Sequence, residues 1–196
     1  MRASRALTVV AAAVLALTGC SNPIITTPDG AQQTEEPTAT TPSVRPSNDK
    51  LANAFDFYAR TDDVHSGYYF TSPSGSWRCT IVPRTWAGCQ SSAGTGRIGI
   101  TGAPQTVTDD AGQNVAPTAI VVPSVDDPGF AAIPTAQFKP PAPATTKTLP
   151  FNKILAAAGF RCNAQQEIGI SCLSEESGKG FTFSATGVSW QYTDVP

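Results

Sequence analysis

The chain has 196 residues, a formal charge of −2 and 40% hydrophobic residues, with only 14% charged. This length and apolar content exclude a wholly disordered chain and more than two domains. The slight acidity argues against a nucleic-acid partner, which demands a basic face, and 16 Gly with 17 Pro suit strands, turns and linkers better than a helical bundle.

Arg2 and Arg5 open the chain, and residues 6–17 follow as an apolar run without a charge. The run is too short for a membrane-spanning helix, which needs about 20 residues. It has the layout of an export signal. Its end, Leu17-Thr18-Gly19-Cys20, resembles the lipobox of bacterial lipoproteins. The resemblance implies a signal peptide over residues 1–19 and a diacylglyceryl group on the Cys20 thiol, with cleavage just before it. Two acyl chains anchor a protein firmly, whereas one does so marginally. The expected location is therefore the extracytoplasmic face of the cell membrane. The cleaved chain would carry 11 basic and 15 acidic residues, so the anchor rather than lipid charge would hold it there.

Residues 20–50 carry Pro23, Pro28, Pro37, Pro42 and Pro46 among frequent threonines, with no aromatic residue. Such a segment cannot bury enough apolar surface to offset its chain entropy. It reads as a spacer whose fully extended limit is roughly 90 Å.

The folded domain is expected over residues 51–196. Leu51, Phe55 and Tyr58 fall on one helical face, with Ser47 or Asn48 as cap, and predict one short N-terminal helix. Residues 68–70, 77–82 and 86–90 read as strands, punctuated by Ser72-Pro73-Ser74-Gly75 and Pro83-Arg84. Residues 118–122 are β-branched and predict another. Residues 168–173 and 181–184 predict two more around a glycine-bearing turn, and 188–192 a last one. Between them, 152–158 has helix-forming alanines, Pro150 before it and the Gly159 stop after it, which predicts a second helix. The fold class is mainly β, with a small α+β domain as the variant.

Four cysteines remain beyond Cys20, and Cys79/Cys89 and Cys162/Cys172 each enclose nine residues. An even number in an exported chain reads as a disulfide frame. Of three connectivities the local one, Cys79–Cys89 with Cys162–Cys172, is favoured over crossed bridges that would tie the two halves together. Each local bridge would staple adjacent strands and contribute about 2.5–3 kcal/mol by loop entropy. Nine is an odd count, so each hairpin needs an odd loop or a bulge to set its cysteines opposite each other.

Ser72-Pro73-Ser74-Gly75 followed by Cys79 resembles the opening of small secreted actinobacterial domains. Leu149-Pro150-Phe151, Phe160-Arg161-Cys162, Gly169-Ile170-Ser171-Cys172 and Ser177-Gly178-Lys179-Gly180-Phe181 resemble that family's closing run. The likeness covers about residues 67–90 and 149–190. It implies export and a fold type, and no reaction. It also implies a turn and strand, rather than a helix, near residues 152–158. Lys179 stands where members often carry a histidine, which weakens the idea of a shared catalytic imidazole.

Chemistry-bearing patterns are sparse. His65 is the only histidine, so multi-histidine metal sites are excluded, and no G-x-S-x-G elbow is present. His65 reads as a surface residue, with Asp62 and Asp63 too close in sequence to complete a triad. The pairs Asp109-Asp110 and Asp126-Asp127 precede Gly112 and Gly129 and read as turns. A calcium site on Asp109, Asp110 and Asn114 lacks EF-hand spacing. Gly94 to Gly99 matches G-x-G-x-x-G, but Ile98 and Ile100 alternate and Pro104 follows, so no helix can receive a dinucleotide. Trp77, Trp86 and Trp190, with Tyr68, Tyr69 and Tyr192, are candidates for an aromatic ligand platform, with core packing as the competing role. Residues 130–143 form a long irregular stretch, an exposed interaction loop or a surface connection.

These readings converge on a lipid-anchored envelope protein that is a non-enzymatic binding or interaction module. It would act on an envelope protein or glycan, as a monomer and without a cofactor. The alternative is an envelope hydrolase working on cell-wall material through carboxylates. A third is a structural or chaperone-like subunit.

Overall fold

The computed structural model describes residues 48–60, 66–94 and 96–196. The leader, Cys20, nearly all of the spacer, Asp62, Asp63, His65 and Thr95 lie outside the described residues. Residues 45–196 form one compact unit.

The fold of this unit is mainly antiparallel β. Strands β1 (Tyr58–Arg60), β2 (Ser66–Thr71), β3 (Trp77–Val82) and β4 (Trp86–Ser91) follow one another as neighbours. Strands β5 (Val107–Thr108) and β6 (Asn114–Val115) make a separate small hairpin. Strands β7 (Ala119–Pro123) and β8 (Gly129–Ala131) complete the first sheet beside β4. The short β9 (Lys147–Thr148) runs parallel to β2. The second sheet is a meander of β10 (Ile154–Ala157), β11 (Phe160–Gln165), β12 (Gly169–Ser174), β13 (Gly180–Ser184) and β14 (Gly187–Ser189).

Period-two alternation sets the layers. Phe70, Cys79, Ile81, Ala87, Cys89, Ile120 and Val122 point inward from the first sheet. Leu155, Phe160, Cys162, Ala164, Ile170, Cys172, Phe181 and Phe183 point inward from the second, and all belong to one core cluster. The sheets therefore pack face to face. Trp77 meets Phe183 edge-on across the interface, with ring centroids 4.7 Å apart.

Both disulfides are the local ones. Cys79 pairs with Cys89 and Cys162 with Cys172, each directly opposite its partner in the register. The Cα–Cα distances of 4.0 and 4.2 Å are those of close, non-hydrogen-bonded antiparallel pairs. The odd spacing is absorbed by three-residue loops. Pro83, Arg84 and Thr85 lie between paired Val82 and Trp86, and Gln166, Glu167 and Ile168 between Gln165 and Gly169. Arg84 takes a positive φ of 56° to close its loop.

Three expectations need correction. The N-terminal helix is one 3-10 turn, Ala54–Phe57, and Leu51, Phe55 and Tyr58 are exposed rather than a buried face. Residues 152–158 are not helical. Ile154–Ala157 is a strand, because Ala158 (φ 50°) and Gly159 (φ 92°) form a two-residue turn with both residues left-handed, which pairs Ala157 with Phe160. That outcome matches the turn and strand implied by the family likeness. The last strand stops at Ser189, and residues 190–195 cross the outside of the second sheet instead.

Both outer faces are covered in an unusual way. Phe138, fully buried in the 3-10 turn Thr135–Phe138, packs on Trp86 at 5.6 Å over the first sheet. The Thr80 hydroxyl donates to the Gln137 carbonyl at 3.0 Å. The irregular stretch over residues 133–139 is thus a structural cover here. On the second sheet the outer face is polar yet buried. Asn163 and Ser171 are fully inaccessible, and Gln165 and Thr182 nearly so.

Candidate functional site

The sequence singled out three tryptophans, and the fold separates their surroundings. Trp77 is half-buried at the inter-sheet boundary against Phe183. Trp86 lies outside the first sheet beneath Phe138. Trp190 alone is substantially exposed, at 46%. Tyr69 is buried, and Tyr68 packs against Tyr58 with the rings tilted and their centroids 5.3 Å apart. There is no single aromatic platform of all these residues. Trp190 and Tyr192 do share one open groove of about 720 Å³.

The groove is built where β13 begins and the segment after β14 returns over the sheet. Ser177-Gly178-Lys179-Gly180 is a tight turn. The Gly178 N–H donates to the Ser174 carbonyl at 3.0 Å, and the Ser174 N–H to the Lys179 carbonyl at 2.9 Å. This aims Lys179 outward, where its Nζ lies 2.9 Å from the Asp127 carboxylate. Both side chains are well exposed, so the pair holds little energy and opens easily to a ligand. Gly180 is a packing requirement: a Cβ there would sit 2.5 Å from the Cys172 carbonyl oxygen and 3.1 Å from Tyr192 Cβ. Its lack of a side chain lets residues 191–193 approach the sheet.

That segment is clamped by side-chain donors. Asn163 Nδ2 donates to the Thr193 carbonyl (2.9 Å) and to the Tyr192 hydroxyl (3.0 Å). Gln165 Nε2 donates to the carbonyls of Thr193 and Asp194, and the Thr182 hydroxyl to that of Gln191. The Tyr192 hydroxyl in turn donates to Asp194 at 3.1 Å. Burial pushes the Tyr192 pKa up to about 12, and the charge of Asp194 adds to the rise while the Asn163 hydrogen bond opposes it. The phenol is therefore a neutral wall of the groove. Trp190 leans edge-on against Phe130 of β8, with centroids 5.5 Å apart, which fixes its ring at the groove mouth.

The carboxylate pairs are distributed over exposed turns. Asp109 accepts from the N–H groups of Ala111 and Gln113, at 3.0 and 2.8 Å, so its side chain closes the β5–β6 turn. Glu175 pairs with Arg161 at 3.1 Å, and Asp127 with Lys179. Among the described residues no group of three His, Cys, Asp or Glu could hold a metal ion. Among them, too, no helix is long and apolar enough to cross a membrane. In the glycine-rich run, the described residues 96–100 include buried Ile98 and Ile100 and form no helix.

Asn163, Gln165, Thr182 and Gly180 escaped sequence reasoning. Their partners lie 28–30 residues away for the two amides, and nothing local marks an outward strand position as covered. The Ser-Gly-Lys-Gly motif was the available signal for the groove.

No family model, curated protein or solved structure matches this chain.

Proposed function

We propose that the protein is a lipid-anchored binding module on the extracytoplasmic face of the cell membrane, and that the Trp190 groove takes an envelope glycan. The observation that carries the reading is Trp190 itself, an exposed indole fixed by Phe130 at the mouth of an open groove. An indole offers an apolar surface to the C–H face of a sugar, and its body is large enough to hold one ring. Lys179 and Asp127 beside it supply a donor and an acceptor for hydroxyl groups. The open, shallow site and the dispersal of the carboxylates favour retention of a ligand over its cleavage. The lipobox supports the anchor.

Calorimetric titration of the purified chain with soluble wall oligosaccharides tests the groove. Trp190→Ala is expected to weaken binding about tenfold or more, as loss of a central aromatic contact does. Trp86→Ala should leave it unchanged, because Trp86 lies under Phe138. Binding that ignores Trp190 would sink the proposal. Intact-mass measurement on material from the native host tests the anchor, through a diacylglyceryl increment on a chain that begins at Cys20.

A further inference from the structure

We propose that the face bearing Phe55 rests on the lipid bilayer itself. The proposal rests on the lipid-anchor reading of Cys20. The observation is an apolar face at the very start of the folded unit. A 3-10 helix has three residues per turn, so residues i and i+3 share a side. Ala54 and Phe57 share the inward side and pack on the core. Phe55 must then point outward, and it is 88% exposed. The turn is held by the Asn53 side chain, which accepts from the Phe55 N–H at 3.3 Å. Phe55 is thus presented on a capped turn rather than on a loose end.

Leu51 (41% exposed) and Tyr58 (42%) are also exposed nearby. Phe55, Tyr58, Tyr68, Pro83 and Ala158 line one hollow of about 310 Å³. Single exposed hydrophobic residues are ordinary, whereas several around one hollow form an interaction surface.

The position in the chain identifies what covers it. Leu51 lies 31 residues beyond Cys20 and directly follows the spacer. An anchored chain therefore keeps this face, the one that adjoins the tether in sequence, at the high local concentration near the bilayer that a tether imposes. The chemistry agrees. A Tyr ring settles at the headgroup level, and a Phe ring inserts at the boundary between headgroups and acyl chains. Exposed Arg84 flanks the hollow, since it follows Pro83 and its N–H donates to the Ala158 carbonyl at 3.0 Å, and its long stem can reach lipid phosphates.

The test uses residues 20–196 with Cys20 coupled to a maleimide-bearing lipid in vesicles. The other four cysteines are bridged, so Cys20 is the only free thiol. Phe55→Trp places a reporter on the face, and its exposure leaves the fold undisturbed. Ala111→Trp, on the β5–β6 turn beside β8, places one near the opposite edge of the first sheet from β1. In vesicles of acyl-brominated anionic lipid, the emission added by Phe55→Trp should fall about twofold, as insertion to the headgroup–acyl boundary predicts. The emission added by Ala111→Trp should not change. Equal Phe55→Trp emission in brominated and plain vesicles overturns the proposal. So does a blue shift that follows protein concentration without lipid, which would assign the face to a second copy. The coupling is chemical, so this result judges the face alone, while the native-host mass judges the anchor.

Discussion

Tyr192 closes the polar outer face of the second sheet, and its hydroxyl serves two neighbours at once. Its pKa is raised from 10.0 to about 12, chiefly by burial, so folding favours the neutral phenol. The stability linked to that proton is fully present below pH 10. It is lost as the pH rises through about 12. Titration followed by phenolate absorbance should show a late step near 12 that Tyr192→Phe removes. Gly180 makes the same contact sterically. Gly180→Ala would drive a methyl against the Cys172 carbonyl and the Tyr192 side chain, at a cost of about 2–3 kcal/mol in urea unfolding. A change below about 0.5 kcal/mol would mean that residues 191–193 are held elsewhere. Neither role was legible in the sequence, where Tyr192 was one of several aromatics and Gly180 one of several turn glycines. Both roles depend on contacts made across the sheet.

At the scale of single elements, the cysteine hairpins were the most legible feature. Equal odd spacing called for odd loops, and Val82 to Trp86 and Gln165 to Gly169 each enclose three residues. The double substitution Cys79→Ala/Cys89→Ala should lower stability by about 2.5–3 kcal/mol, and Cys162→Ala/Cys172→Ala by a similar amount, in chemical denaturation. The 152–158 segment misled for a physical reason. Its alanines favour helix, but a two-residue turn at Ala158 and Gly159 and pairing with β11 override that weak preference. The 133–139 cover misled in the opposite direction. Proline-rich composition suggests an exposed loop, yet Phe138 inserts fully against Trp86. One buried ring turned a surface-looking segment into structure.

At the scale of the whole molecule, the core lies within residues 45–196 and spans both sheets. A chain lacking residues 20–44 should therefore have the same unfolding free energy as one that keeps them, within about 0.5 kcal/mol. A larger loss would show that the spacer contributes to folding. The mainly β class followed from β-branched and aromatic runs punctuated by turn residues, as at 77–82 and 86–90 around Pro83-Arg84. The groove did not, because it is assembled from three turns distant in sequence, around Asp127, Lys179 and Trp190. The position of the sulfur atoms carries a further consequence. Both bridges are sealed inside the shared interior, and each joins partners only ten positions apart in one hairpin. As the polypeptide is delivered from its N-terminal side, the first ring can close before the second hairpin exists. An oxidant then has a brief window on each ring, which shuts when the layers meet. Each correct partner is thus also the cysteine nearest in sequence, so proximity along the chain favours the native pairing.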